Sequence, residues 1–392
     1  MQFNKPYFTG EEEKYIKEAI ACGKISGNGR FTKACQLLLQ QYYGYNKCLL
    51  TTSCTDALEM AAILADIQPG DEVIIPSYTF VSTANAFILR GAKIVFVDSM
   101  NEHPNMDVRQ IERLITVRTK AIVPVHYAGV ACDMDSIMKL AYKYGLLVIE
   151  DAAQAIDAYY GDKPLGGIGH LGAMSFHDTK NIIAGEGGAL LVNDDRFRHR
   201  AEIVWEKGTN RSAFLRGEVD KYGWVDIGSS FLPSELTAAF LYAQLLEKDE
   251  IQKRRQRWWD LYYENLRPLE KEGYITLGKI PAYAKHNAHI FYIVTKDGET
   301  RNQLLDYLKT NDIHATFHYL QLHKSAYFLQ EHKSIELPNA NKYTNCLIRL
   351  PLYPDLTTEE INVACETLRS FFKIKLIGPV TRKPKYEKTI FS

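Results

Sequence analysis

The stretch Ser175-Phe176-His177-Asp178-Thr179-Lys180-Asn181-Ile182-Ile183-Ala184-Gly185-Glu186-Gly187-Gly188 decides how the rest of the chain is read. Leu171, Ala173 and Met174 precede it, and Ala189, Leu190, Leu191 and Val192 follow it. Both flanks read as short buried strands, so the lysine sits on an interior turn ahead of a glycine-rich run. Lysine is rarely buried unless it is paired or used covalently. Its covalent use is a Schiff base with a carbonyl cofactor or substrate. Taken alone, the stretch fits a surface lysine on a hairpin loop equally well.

Working outward, the chain repeats strand, turn and helix. Strands are expected at Cys48–Thr51, Glu72–Ile75, Lys93–Val97, Ala121–Val125 and Leu146–Ile149, with helices at Asp56–Ala65, Thr79–Leu89, Val108–Ile115 and Asp135–Tyr144. Apolar strands alternating with helices of about ten residues indicate an α/β fold, a mostly parallel sheet covered on both faces. Ahead of it lie two helices, one with acids in its first turn at Glu11-Glu12-Glu13 and one at Phe31–Tyr43, joined by the loop Ser26-Gly27-Asn28-Gly29-Arg30. Beyond Val192 the alternation fades. Arg196–Lys207 reads as helix, Arg211–Ser230 as a long loop and Ser234 to about Glu270 as one or two long helices. The pattern predicts a large domain over 1–245 and a smaller C-terminal α+β domain over 246–375, with strands at Ile290–Thr295 and Ala315–His318 and helices at Thr300–Thr310 and Thr357–Phe372. Residues 376–392 form a basic, proline-containing tail.

Composition narrows the function class. Lys+Arg and Asp+Glu number 47 each in 392 residues, so no excess of positive charge recommends a nucleic-acid partner. The seven cysteines are scattered, without zinc-ribbon or redox spacing, and no metal site or disulfide framework is expected. No apolar run approaches the roughly 18 residues of a membrane helix, and the start lacks the layout of a signal peptide. A reduced, cytoplasmic protein with no membrane partner is the expectation.

Ligands of open α/β sheets collect at the carboxyl ends of the strands. One such end carries Glu150-Asp151-Ala152-Ala153-Gln154, where the acid is either a helix cap or a carboxylate facing a protonated ring nitrogen. Another carries Thr52-Ser53-Cys54-Thr55 before a helix, either an ordinary cap or a phosphate site. A third brings Ser77-Tyr78-Thr79-Phe80, with Phe80 either in the core or stacked on a flat cofactor. A fourth brings His126, a satisfied hydrogen-bonder or an active-site wall. An acid, a phosphate cradle, a stacking ring and a lysine at one rim are together what pyridoxal 5′-phosphate requires.

The motifs Ser-Phe-His-x-x-Lys with Gly-Glu-Gly-Gly, Glu-Asp-Ala-Ala-Gln, Pro-Ser-Tyr-Thr-Phe-Val-Ser-Thr-Ala-Asn-Ala and Pro-Val-His-Tyr-Ala-Gly resemble the DegT family of nucleotide-sugar aminotransferases over roughly residues 1–375. The resemblance implies a fold-type I, pyridoxal-phosphate-dependent aminotransferase, a homodimer with active sites at the subunit interface. It implies Lys180 as the cofactor-bearing residue, Asp151 at the ring nitrogen, Gln154 near the ring hydroxyl, Phe80 on the ring face, and Ser53, Cys54, Thr55 and Ser175 at the phosphate. The family's common glycine is Cys54 here, and the asparagine that many members send from the partner subunit is replaced by the run Gly228-Ser229-Ser230, which leaves Ser229 or Ser230 for that contact. The stretches Glu-Lys-Gly-Thr-Asn-Arg-Ser and Asp-Ile-Gly-Ser-Ser are similar to members acting on dTDP-linked 4-keto-6-deoxy sugars with L-glutamate as donor. The galacto and gluco epimers of the product both stay open. Lys207, Arg211, His318, Tyr319 and His323 lie in polar-aromatic loops suited to a sugar pyrophosphate. Family dehydratases carry histidine in place of the lysine, and a non-catalytic module predicts a lost lysine or acid; neither description fits Lys180 and Asp151.

Overall fold

The structure is a computed structural model; it describes residues 1–333 and 335–377 of the chain. Its centre is a seven-stranded sheet in the order Lys47–Thr51, Gly188–Val192, Leu171–Ser175, Leu147–Asp151, Thr119–Ile122, Glu72–Pro76, Lys93–Val97. Gly188–Val192 runs antiparallel to both of its neighbours, and the other adjacent pairs are parallel. The sheet is therefore mixed but mostly parallel.

Successive residues of a strand point to opposite faces, and here both faces are covered. Leu49 and Leu190 join the core on one face with Ala57, Leu58 and Ile75, while Leu50 and Leu191 join the core on the other with Phe31, Leu39 and Met174. That is why these strands read as unbroken apolar runs. Burial of each such leucine contributes about 1.5–3 kcal/mol.

Register decides what meets at the rim. Gly188 pairs with Thr51 on one side and with Ser175 on the other, and Asp151 pairs with Ala173 on the next strand. The ends of four strands, one of them more than 90 residues from the others in sequence, therefore lie side by side. A second sheet, Ile275–Leu277, Phe291–Thr295 and Leu347–Leu350, is antiparallel throughout and packs with the helices Lys248–Lys271 and Thr358–Ile377 around Trp258, Tyr262, Phe291, Ile348 and Leu368. A small ribbon, in which Tyr159–Tyr160 pairs with Lys163–Pro164 and with Ala284–Lys285, links the two parts.

Several elements differ from expectation. Val108–Ile115 forms two 3₁₀ turns, Val108–Gln110 and Glu112–Leu114, not one helix; the Asp107 carboxylate accepts from the Arg109 amide and side chain and holds the first turn tight. Ala315–His318 is not a strand, since only Thr316 pairs, with Arg349. The expected loop 211–230 opens with a short helix, Arg211–Leu215. Ser234–Glu270 is two helices, Glu235–Leu246 and Lys248–Lys271. The final helix continues to Ile377, and residues 378–392 of the expected basic tail lie outside the described residues. No helix among the described residues is long and apolar enough to cross a membrane.

Candidate active site

A cavity of about 590 Å³ opens at the shared rim and is lined by Ser53, Cys54, Thr55, Phe80, Asp151, Gln154, Ser175, Lys180, His318 and Tyr319 together with Arg349 of the second sheet. Lys180 follows the strand Leu171–Ser175 through a tight turn, its amide donating to the His177 carbonyl at 2.9 Å. Among the described residues its Nζ has no hydrogen-bond or ion-pair partner. Burial holds the ammonium below its ordinary range; the Arg349 guanidinium adds to that shift and the Asp151 carboxylate opposes it. A lysine so placed has more neutral amine at pH 7 than a surface lysine, as a nucleophile needs.

The turn opposite begins the helix Cys54–Leu64. Ser53 caps it, its Oγ accepting from the Asp56 amide at 3.0 Å, which leaves the Cys54 and Thr55 amides without an intrahelical acceptor. Thr55 Oγ1 donates to Ser82 Oγ at 2.8 Å, and Ser175, 7% exposed, closes the same corner. Gly188 lets the strands come this close: a Cβ there would sit 2.4 Å from the Cys54 nitrogen and the Ser53 carbonyl carbon. A helix N-terminus with free amides and hydroxyls suits a phosphate.

Asp151 is 5% exposed, and its carboxylate accepts from Thr83 Oγ1 at 2.7 Å and from the Ala153 amide at 3.1 Å. Thr79 Oγ1 lies 2.8 Å from Thr83 Oγ1, so two threonines hold the acid in place. Gln154 Oε1 accepts from the Ala128 amide at 2.7 Å, and its Nε2 donates to the Tyr319 hydroxyl at 2.9 Å. Phe80 is 55% exposed at the mouth, its ring centroid 6.1 Å from that of Tyr319; it is a wall of the cavity and not part of the core. Nδ1 of His318 meets the Tyr127 hydroxyl at 3.0 Å, and burial pushes its imidazole well below its ordinary range.

The cavity does not gather every expected residue. His126 is fully buried behind the rim: its Nδ1 accepts from the Cys132 amide at 3.2 Å, so its Nε2–H donates to Glu150 at 2.9 Å. Glu150 in turn accepts the Gly166, Ile168 and Gly169 amides, so the pair organises a loop. His323 is equally buried, its Nδ1 2.6 Å from Ser77 Oγ, because the turn Leu322–Lys324 docks on the end of the strand Glu72–Pro76. His126 thus takes the first of its two readings, a satisfied hydrogen-bonder, and neither it nor His323, expected among the sugar-pyrophosphate contacts, lines the cavity. Lys207, Arg211, Ser229 and Ser230 lie in the exposed stretch 207–230, where the Lys207 amide donates to the Ser229 carbonyl at 3.0 Å and Arg211, at the start of its short helix, pairs with Glu206 at 3.5 Å; within one chain they do not line the cavity.

Sequence reading missed Arg349, His289, Thr83 and Ser82, all of which line the cavity. Thr83 and Ser82 stand within Tyr-Thr-Phe-Val-Ser-Thr, where a hydroxyl three or four residues past Thr79 falls on the same helical face, a usable signal. Arg349 offers none, as its strand reads apolar on both sides.

A lysine without a partner, a helix N-terminus cleared by a glycine and a buried carboxylate held by a hydroxyl together fit an aldehyde, a phosphate and a pyridinium nitrogen. The donor set matches pyridoxal 5′-phosphate, and the class defined is that of enzymes using this cofactor on an α/β sheet. Residues 6–369 match the DegT/DnrJ/EryC1/StrS aminotransferase family. The spore coat polysaccharide biosynthesis protein SpsC of Bacillus subtilis is 31% identical over 382 residues, 95% of this chain and 97% of SpsC. PseC of Helicobacter pylori, an aminotransferase involved in the biosynthesis of pseudoaminic acid, superposes with a TM-score of 0.87 at 24% identity, covering 95% of this chain and 99% of that one. A Streptococcus pneumoniae protein, Spr1654, solved in its pyridoxal-phosphate form, superposes with a TM-score of 0.87 at 24% identity, covering 95% and 98%. The chain belongs to the DegT/DnrJ/EryC1/StrS family of sugar aminotransferases, whose cofactor is pyridoxal 5′-phosphate.

Proposed function

We propose that this aminotransferase moves the amino group of L-glutamate to the 4-keto carbon of dTDP-4-keto-6-deoxy-D-glucose, giving dTDP-4-amino-4,6-dideoxy-D-galactose and 2-oxoglutarate, as a cytoplasmic homodimer with active sites at the subunit interface. The observation that carries the reading is Lys180, an amine with no hydrogen-bond or ion-pair partner among the described residues, in one cavity with a single buried carboxylate, Asp151. The likeness to SpsC, a polysaccharide biosynthesis protein, supports a sugar substrate.

In this reading the Cys54 and Thr55 amides, Ser53 and Ser175 hold the cofactor's phosphate, and Phe80 covers the ring. Gln154, fixed by Ala128 and Tyr319, stands at the ring hydroxyl. Asp151, held by Thr83 and Ala153, keeps the ring nitrogen protonated by charge pairing. The bound cofactor supplies an electron sink for the carbon bearing the amino group. Lys180 Nζ takes the proton from the α-carbon of glutamate as base and, as acid, delivers one to C4 of the sugar. His318 and Tyr319 border the space for the sugar. Ser229, Ser230, Lys207 and Arg211 serve the partner's site across the interface.

Incubation with L-glutamate and dTDP-4-keto-6-deoxy-D-glucose, followed by NMR of the product, should show an amino group at C4 in the galacto configuration. Lys180→Ala should lower turnover by about 10²–10⁴-fold or more. Persistent turnover in that variant sinks the mechanism, and a gluco product replaces the epimer.

A further inference from the structure

His289 lines the cavity beside Lys180 and has no part in the transamination proposed above. It stands two residues ahead of the strand Phe291–Thr295 and is 4% exposed. The state of its ring follows from a chain of buried amides that starts at one backbone oxygen, the Asn287 carbonyl. Asn287 is fully buried, and its own side chain donates to the Gln154 and Ile156 carbonyls at 2.9 and 2.7 Å, so that oxygen is held in place. A carbonyl can only accept, and this one accepts from Asn181 Nδ2 at 2.8 Å and from Gln252 Nε2. Both amides are thereby oriented. Gln252 Oε1 accepts from Asn181 Nδ2 at 2.9 Å, and Asn181 Oδ1 is left facing His289. An oxygen there requires the hydrogen to sit on His289 Nδ1, which donates to it at 2.8 Å. Burial, with the charges of Lys180, Arg255 and Arg349, holds the imidazole well below its ordinary range, so the ring is neutral. Its Nε2 is then a bare lone pair, and among the described residues it has no hydrogen-bond partner.

A lone pair among cations calls for an N–H donor. Arg349 is fixed on the strand Leu347–Leu350 and makes no hydrogen bond to it, whereas Lys180 carries its amine on a flexible four-carbon stem. Asn181, which sets the ring, follows Lys180 directly in the chain, so amine and imidazole are referred to the same turn. Taking a proton from the α-carbon of glutamate turns the Lys180 amine into an ammonium, and burial disfavours that charge. Asp151, the cavity's buried carboxylate, is occupied by Thr83 and Ala153. An ammonium without an acceptor is costly there, and a hydrogen bond from it to a neutral nitrogen offsets part of that cost. We propose that His289 Nε2 accepts a hydrogen bond from Lys180 Nζ once that amine holds the proton, positioning it for delivery to the sugar; the assignment rests on the aminotransferase reading. His289 is thus a positioning residue, and the proton stays on Lys180, because the cations that keep the ring neutral oppose a charge on it. Asn181 acts one step further back, by holding the tautomer.

The test uses the cofactor-loaded protein and variants that separate the two ring nitrogens. His289→Asn keeps an N–H near Nδ1 for Asn181 and removes Nε2, whereas His289→Gln brings an amide oxygen to the position of Nε2. Amino-group uptake is followed as release of 2-oxoglutarate from L-glutamate carrying hydrogen or deuterium at the α-carbon. His289→Asn should lower the saturated rate by about 10- to 100-fold, as loss of a hydrogen bond to a charged group implies. Its half-saturating glutamate concentration should stay within about twofold, and its melting temperature and cofactor retention should match wild type. The hydrogen-to-deuterium rate ratio should rise as proton transfer becomes limiting, and His289→Gln should recover part of the rate. Nitrogen-15 NMR of histidine-labelled protein, with the signal assigned by its loss in His289→Gln, should show a ring protonated on Nδ1 alone, and Asn181→Ala should lose that single tautomer together with the rate. Should His289→Asn fail to fold, the tautomer and the isotope ratio of Asn181→Ala decide. A ring protonated on Nε2, a wild-type rate and isotope ratio in His289→Asn, or a change confined to the half-saturating glutamate concentration overturns the assignment and leaves the aminotransferase reading intact. A wild-type protein that takes no amino group from L-glutamate overturns both.

Discussion

Gly188 shows how much a site can depend on an atom that is absent. Three strands converge at this position, and a methyl group here would lie 2.4 Å from the Cys54 nitrogen and 2.5 Å from the Ser53 oxygen, both backbone atoms that cannot swing aside. We predict that Gly188→Ala opens the Ser53–Thr55 turn, with an overpacking cost of about 1–3 kcal/mol and weaker retention of pyridoxal phosphate on dialysis. Equal melting temperature and equal retention would contradict that account. Thr83 acts on the same scale. Its hydroxyl is a donor to Asp151 at 2.7 Å, and Thr83→Val preserves its shape while removing the donor. In the variant the acid should hold the ring nitrogen less firmly, and turnover should fall more than the melting temperature does.

At the scale of elements, a buried carboxylate ties the start of one helix to another. Glu235, at the first position of the helix Glu235–Leu246, accepts the Gly29, Phe31 and Thr32 amides at 2.9, 2.7 and 3.1 Å, and also the Thr32 hydroxyl. One side chain thus satisfies the free amides at the start of the helix Arg30–Tyr43 and complements its dipole. Gly29, whose Cβ would meet Glu235 at 2.5 Å, makes room for it. Glu235→Ala strands several buried donors and should cost about 2–4 kcal/mol, read as a lower urea midpoint, with Glu235→Gln intermediate. Equal midpoints would show that water replaces the carboxylate at no cost.

For the molecule as a whole, the histidines set the acid limit. Burial lowers His286 to about 4 and pushes His289 and His318 well below the ordinary imidazole range; Lys180 and Arg255 add to this at His289, and Arg349 at His318. These groups are neutral in the folded protein and, once unfolded, bind protons near pH 6.5. Below that pH the unfolded state therefore holds more protons, and stability falls as pH falls, by up to about 1.4 kcal/mol per pH unit for each histidine. Carboxylates held low by ion pairs, such as Glu202, contribute only further down, below about pH 4.5. The melting temperature should therefore decline between pH 6.5 and 5, before carboxylates protonate. A flat profile over that window would remove the histidines from the account.

Most of the large sheet was legible because its strands are buried on both faces and so are apolar throughout, and because a capping residue such as Ser53 marks where a helix begins. Lys180, Asp151 and the Ser53–Thr55 turn were legible because they stand at strand ends, where local pattern and site coincide. Chemistry alone did not separate the fates of the histidines: His126 and His323 became buried hydrogen-bonders, whereas His318 reached the cavity. The sequence by itself determined the alternation, the strand ends and the chemical types offered there. Only the tertiary structure decided which of them meet, because the register of Gly188 against Thr51, and of Arg349 against Tyr292, joins segments more than 50 residues apart through backbone hydrogen bonds that carry no mark of side-chain identity.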